Sequence, residues 1–238
     1  MDSMLYIVAT PIGNLADITQ RAISVLSKAD VVLAEDTRVT AKLLSMHRVH
    51  TKLERCDENI IVRKTPSLIK RMQAGESFAF CSDAGMPGIS DPGLVLVDAA
   101  YNAGIKVEVI PGPSALDTAF VSSGFISTSI YFGGFLPRKS SARRSTLQSL
   151  SSLEAALIFY ESPHRVLSAV CDMADVFPSR RIALCRELTK IYEEVIRMNS
   201  VDLYNELSSR QSIKGECVLV VEPKQKKKRV HHQKYPKL

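Results

Sequence analysis

SFAFCSDAGMPGISDPG, residues 77–93, holds three structural signals in a row. The apolar run around Phe78 to Cys81 is short enough for a fully buried strand. The next residues carry three glycines and two prolines, so the chain turns in a stiff loop close to bare backbone. Asp91-Pro92 then suits a helix start, with an oxygen that can cap and a ring that fits the first turn. Strand, stiff loop and helix make one βα unit, and Gly104 supplies the far helix stop.

The same order recurs on both sides. LYIVAT (5–10), VVLAE (31–35), a run near 51–56, SFAFCS (77–82) and KVEVI (106–110) read as strands. Helical patterns follow them: one capped by Asp17, one near 39–46, one near 60–74, and one from Ser114 and Asp117 to Gly124. Such alternation predicts a largely parallel sheet covered on both faces. After Gly124 the pattern restarts. SIYFGGF (129–135), AALIFY (155–160), RIALCR (181–186), EEVIRM (193–198) and GECVLVVE (215–222) are strands, with helices near 140–151, after Ser162-Pro163 and near 200–209. The expected architecture is α/β, with an N-terminal domain over 1–123, a C-terminal domain over 124–223 and a basic, disordered tail over 224–238.

Composition narrows the classes. The 238 residues are long enough for two cores. No apolar run reaches membrane-span length, and the N-terminus starts as a strand without a leader, so a soluble cytoplasmic protein is expected. The net charge of +6 belongs to the tail, whose seven Lys and Arg and no acid leave the body at −1. Five cysteines at Cys56, Cys81, Cys171, Cys185 and Cys217 match neither a zinc pattern nor a disulfide framework, so no metal is expected.

Open α/β sheets bind ligands at their strand-end loops. Three such loops are rich in Gly and Pro: ATPIGNL (9–15), SDAGMPGISDPG (82–93) and IPGPSA (110–115). Turn chemistry accounts for any one of them, whereas three at one edge point to a pocket. Neither a dinucleotide nor a P-loop fingerprint is present, and Asp83 and Asp91 would repel a polyphosphate. A nucleoside with a cationic group fits an acidic, backbone-rich pocket better, and S-adenosylmethionine is one such ligand.

VATPIGNLADITQRA (8–22), AEDTR (34–38), SDAGMPGISDPG (82–93), IPGPSA (110–115), GFLPRK (134–139), FYESPHR (159–165), RELTK (186–190) and KGECVLVVE (214–222) carry a resemblance over Leu5 to Pro223. The chain resembles the bacterial ribosomal RNA small subunit methyltransferase I family, within the tetrapyrrole methylase superfamily. That resemblance implies two α/β domains with S-adenosylmethionine in the cleft between them, and a homodimer. It also implies methyl transfer to the ribose 2′-oxygen of a cytidine in the decoding region of small-subunit rRNA; the assembled 30S subunit is the expected partner, with free RNA as the alternative substrate. By motif position it places Ile12, Asp83, Gly85, Met86, Ser114, Ala115, Tyr160, Glu187 and Glu216 against the cofactor. One departure stands out: Cys56-Asp57-Glu58-Asn59-Ile60 replaces the family's histidine-rich stretch.

A base for the hydroxyl proton is sought at the end of the second strand, in Glu35 and Asp36, with Asp36 preferred. Its plain alternative is an ion pair with Arg38. RNA phosphates are expected at Arg138, Lys139, Arg143 and Arg144, with Arg165 as a further candidate whose alternative is a bridge to Glu161. Competing functions are a tetrapyrrole or protein methyltransferase of the same superfamily, a dinucleotide-dependent oxidoreductase, and a non-catalytic RNA-binding assembly factor.

Overall fold

The computed structural model describes residues 4–224. The basic tail predicted beyond them lies outside the described residues. Chain contacts divide the protein into two compact units. The first runs to Ser122 and also takes Cys185–Glu194; the second holds Ser123–Leu184 and the chain from Val195. The boundary near residue 123 is therefore joined by a second crossing, because one later loop packs with the first unit. Both units are α/β.

In the first unit, strands β1 (Met4–Val8), β2 (Val31–Ala34), β3 (Lys52–Arg55), β4 (Phe78–Cys81) and β5 (Lys106–Ile110) form one sheet in the order β3-β2-β4-β1-β5. Every pair within it is parallel. Alternating strand residues supply two cores. Leu5, Ile7, Leu33, Phe78 and Phe80 pack with Leu68 and Met72 of α3 (Ile61–Gln73) and Leu96 and Ala100 of α4 (Gly93–Asn102). Val8, Val32, Ala79, Cys81 and Ile110 meet Ala22 and Leu26 of α1 (Gln20–Lys28), and Leu43 and Leu44 of α2 (Thr37–Met46). The inner strands β2 and β4 bury both faces, as their unbroken apolar runs require, whereas β3 and β5, at the two ends of the sheet, carry charged residues and stay partly exposed. The last helix of the unit is α5 (Ala115–Ser123).

Helix starts differ in detail from those expected along the sequence. Thr19, not Asp17, caps α1: its hydroxyl accepts from the Ala22 amide at 3.0 Å, while Asp17 ends a short 3₁₀ turn. Asp91 accepts from the amides of Gly88 (2.7 Å) and Gly93 (2.8 Å), so one carboxylate closes the loop and opens α4.

The second unit's sheet runs β6-β7-β10-β8-β9. Its strands are β6 (Ile130–Phe135), β7 (Ala156–Glu161), β8 (Arg181–Arg186), β9 (Glu194–Asn199) and β10 (Cys217–Val221). β6 pairs with β7 in parallel and β7 with β10 antiparallel, so this sheet is mixed. Helices α6 (Ser140–Ser149), α7 (Val166–Val176) and α8 (Ser200–Ser208) pack against Leu157, Phe159, Leu184 and Leu219. Ser162 does not cap α7 with its side chain; its carbonyl accepts from Arg165 and Val166 instead.

Candidate functional site

The three glycine-rich loops leave β1, β4 and β5, which are neighbours in the sheet, so all three meet at one edge. They are locked together. The Thr10 and Gly85 backbones exchange hydrogen bonds at 2.9 and 3.1 Å, and the Thr10 hydroxyl donates to the Ser82 carbonyl at 3.1 Å. Ala9 donates to the Ile110 carbonyl at 3.1 Å. Gly112 lies so close to the first loop that a Cβ there would come within 2.9 Å of the Ala9 methyl. Gly85, at φ +81°, adopts the left-handed backbone that glycine permits.

This edge gathers Ile12, Asp83, Gly85, Met86, Ser114 and Ala115. Ile12 and Gly85 are buried, Met86, Ser114 and Ala115 are half-buried, and Asp83 is exposed. Glu187 belongs to the same unit, in the loop after β8, at φ +52° and paired with Lys190 at 2.9 Å. That loop is fastened to the first one by the Asn14 amide donating to the Thr189 hydroxyl at 3.0 Å. Gly13 faces it so closely that a Cβ would meet Lys190 Cγ at 2.5 Å. Tyr160 and Glu216 are in the second unit, where the β7–β10 register brings the end of one strand beside the start of the other.

Because β2 neighbours β4, Glu35 and Asp36 reach the second glycine loop. The Asp36 amide donates to Asp83 Oδ1 at 3.0 Å, and the Asp83 amide donates to Glu35 Oε2 at 3.5 Å. The two acids differ sharply. Asp36 is the N-cap of α2, and Arg38 grips its carboxylate through Nε at 3.0 Å and Nη2 at 2.6 Å. Those hydrogen bonds hold Asp36 down at about 2. A carboxylate so committed is a poor proton acceptor, which counts against the preference for Asp36 and leaves Glu35 as the candidate base.

Glu35 is half-buried, and its Oε1 is enclosed without a hydrogen-bond partner among the described residues. Burial pushes its carboxyl up to about 7, the Asp91, Asp83 and Asp57 charges push the same way, and the Asp83 amide opposes them. It lines a pocket of about 570 Å³ together with Asp83, Asp91, Asp57, Arg55 and Glu58. Neither Asp57 nor the place of Asp91 beside Glu35 is visible in the sequence. Both arrive because the ends of β3, β2 and β4 lie side by side, an order that no local pattern reveals.

The histidine-poor stretch is now interpretable. Cys56 is fully buried, bonds through its amide to the Ala34 carbonyl at 2.7 Å, and has its thiol pushed up to about 11 by burial. It cannot serve in place of an imidazole. Glu58, two residues on in the same stretch, is exposed at the pocket.

The basic candidates separate into two kinds. Arg138 and Lys139 are exposed, with no side-chain partner among the described residues. Arg143 is only 3% exposed; its Nε donates to Asp172 at 2.6 Å and its other nitrogens to the carbonyls of Pro137, Arg138 and Ser168. An RNA contact by Arg143 is therefore corrected to a structural role. Arg165 likewise spans Glu161 (3.0 Å) and the Leu136 carbonyl (2.5 Å). Arg144, on the exposed side of α6, pairs with Asp175. Among the described residues no group of acids, cysteines and histidines is arranged to hold a metal, and no helix is long and apolar enough to cross a membrane.

Residues 4–203 match the family model of Tetrapyrrole (Corrin/Porphyrin) Methylases. The chain is 46% identical over 218 residues to the ribosomal RNA small subunit methyltransferase I of Halalkalibacterium halodurans, covering 92% of this chain and 75% of that one. The chain belongs to the ribosomal RNA small subunit methyltransferase I family. It is 43% identical to the member from Borrelia garinii, of which it covers 98%. Among solved structures it resembles the methyltransferase CobJ (TM-score 0.70, 16% identity, 93% of this chain and 94% of that one). It also resembles uroporphyrin-III C-methyl transferase from Thermus thermophilus complexed with S-adenyl homocysteine (TM-score 0.65, 15% identity, 92% and 97%). At those identities the neighbours establish the two-domain tetrapyrrole methylase fold.

Proposed function

We propose that this chain transfers a methyl group from S-adenosylmethionine to the ribose 2′-oxygen of a cytidine in small-subunit rRNA, as a cytoplasmic homodimer acting on the assembled subunit. The 46% identity to a ribosomal RNA small subunit methyltransferase I over 92% of the chain carries this reading. The site's chemistry fits the cofactor. The edge offers close backbone at Gly85 and Gly112 and a carboxylate at Asp83, and this set suits ribose hydroxyls and a sulfonium better than a polyphosphate. Ile12, Asp83, Gly85, Met86, Ser114 and Ala115 would hold it, with Glu187, Tyr160 and Glu216 as further contacts. When bound, the cofactor supplies an already activated methyl group.

The protein's share is positioning and proton handling. Glu35 accepts the hydroxyl proton: its Oε1, without a partner among the described residues, and its carboxyl near 7 suit a base that works at neutral pH. The Asp36–Arg38 pair fixes the loop that carries it. Arg138 and Lys139 hold RNA phosphates without reading sequence. Their joint replacement by Gln should reduce the salt slope of single-stranded RNA binding by about 1.4, roughly 0.7 for each phosphate no longer held. Titrating affinity against salt measures this.

The deciding experiment incubates the protein with unmodified small subunits and S-adenosylmethionine labelled in its methyl group. The expected result is one labelled cytidine, methylated on the 2′-oxygen. Label in an added porphyrinoid and none in RNA would overturn the reading in favour of the tetrapyrrole alternative.

A further inference from the structure

Phe135 ends β6 with 56% of its surface exposed. A single exposed apolar residue is ordinary. This one is placed by a device. Along β6–β7, Phe132 pairs with Ile158 and Phe135 with Tyr160, so three steps on one strand match two on the other. The extra residue is a β-bulge. Two glycines make it: Gly134 sits at φ +59°, and a Cβ on Gly133 would lie 2.5 Å from the Phe159 ring. In regular pleating Phe132 and Phe135, an odd number of residues apart, would face opposite sides of the sheet. With the bulge both rings meet Tyr160, at centroid distances of 4.8 and 5.9 Å and steep interplanar angles.

The turn that follows is fixed from beneath. Arg165 donates to the Leu136 carbonyl, and the buried Arg143 donates to the carbonyls of Pro137 (3.4 Å) and Arg138 (3.3 Å). Two guanidiniums thus hold the backbone of residues 136–138, while Arg138 and Lys139 extend outward without partners among the described residues. A supported aromatic ring followed within four residues by two exposed cations is the combination that single strands require. An aromatic face stacks an unpaired base, and the cations take the neighbouring phosphates. A duplex, with its bases stacked inside, has no use for the ring.

We infer that Phe135, presented by the Gly133-Gly134 bulge against Tyr160, stacks an unpaired base of the RNA substrate while Arg138 and Lys139 hold the adjacent phosphates. This rests on the RNA reading above and adds to it a single-stranded substrate and a residue that selects it. The charge of the turn favours RNA over a second copy of this chain as the occupant.

The test measures anisotropy of a labelled single-stranded RNA oligonucleotide and of its duplex, using the full chain, Phe135→Leu and Phe135→Trp. Phe135→Leu should weaken single-strand binding about tenfold, within the range for loss of one stacked base. It should leave duplex binding, the salt slope and S-adenosylmethionine affinity unchanged, and Phe135→Trp should restore the loss. Equal single-strand binding by wild type and Phe135→Leu would overturn the inference while the RNA reading stands. So would wild-type binding by Phe135→Leu with a smaller sedimenting species, which would assign the ring to contact between copies. A wild-type chain that binds neither RNA but binds S-adenosylmethionine would overturn both.

Discussion

Glu35→Gln is expected to lower kcat by about 100- to 10,000-fold, the usual contribution of a positioned general base, with S-adenosylmethionine affinity unchanged. Gln keeps the size of the side chain and an oxygen for the Asp83 amide, so the second glycine loop should hold its shape. What it loses is the capacity to take a proton. In the wild type, the base form of Glu35 predominates only above about 7, so kcat should rise with pH and level off beyond it. In Glu35→Gln that rise should vanish. Asp36→Asn should keep the rise, because the Asp36 carboxylate is held by Arg38 and stays ionised far below neutrality. A Glu35→Gln enzyme with near-normal single-turnover methylation would remove Glu35 from the mechanism. Stability gives an independent reading. The folded state favours the protonated Glu35, so its stabilising contribution is lost as pH rises from the unfolded value near 4.5 through about 7. The Tm of Glu35→Gln relative to wild type should therefore be higher at pH 8 than at pH 5.

The boundary between what sequence and structure each reveal follows from how local the signals are. The β4–loop–α4 passage is legible because an apolar run, turn residues and an Asp-Pro start are neighbours in the chain. Strand order is a long-range property. Without it, nothing indicates that Asp57 and Asp91, 34 positions apart, surround Glu35. Asp36 and Arg143 are different, since each carries a local signal. Asp36 directly precedes a helix, the place where an acid serves as N-cap. Arg143 stands four and seven residues before Leu147 and Leu150, on the apolar face of its helix. Charge type alone suggests chemistry for both residues, whereas their position already assigns them to the fold. The Gly133-Gly134 bulge is intermediate: paired glycines in a strand suggest an irregularity, but its register emerges only against β7.

Arg143→Ala should destabilise the protein by about 3–5 kcal/mol, the range for breaking a buried ion pair from one side. Its partner Asp172 is 4% exposed and would be left charged in the core, with only the Ser140 hydroxyl at 2.8 Å and a distant Arg144 guanidinium at 3.8 Å. The backbone of the Pro137–Arg138 turn would also lose its donors. Arg144→Ala, by contrast, removes a pair that is about half exposed, and it should cost no more than about 1 kcal/mol. Replacing both members, Arg143→Met with Asp172→Leu, should recover much of the loss, since a well-packed apolar pair avoids the desolvation penalty that the ions carry. Urea unfolding midpoints of the three variants measure this. If Arg143→Ala unfolds near the wild-type midpoint yet binds single-stranded RNA tenfold more weakly, Arg143 contacts RNA after all. If it unfolds early and the double variant recovers, the guanidinium holds the turn that presents Phe135, Arg138 and Lys139. The double variant should then bind RNA less tightly than wild type despite its restored fold, because Met and Leu cannot donate to the turn's carbonyls.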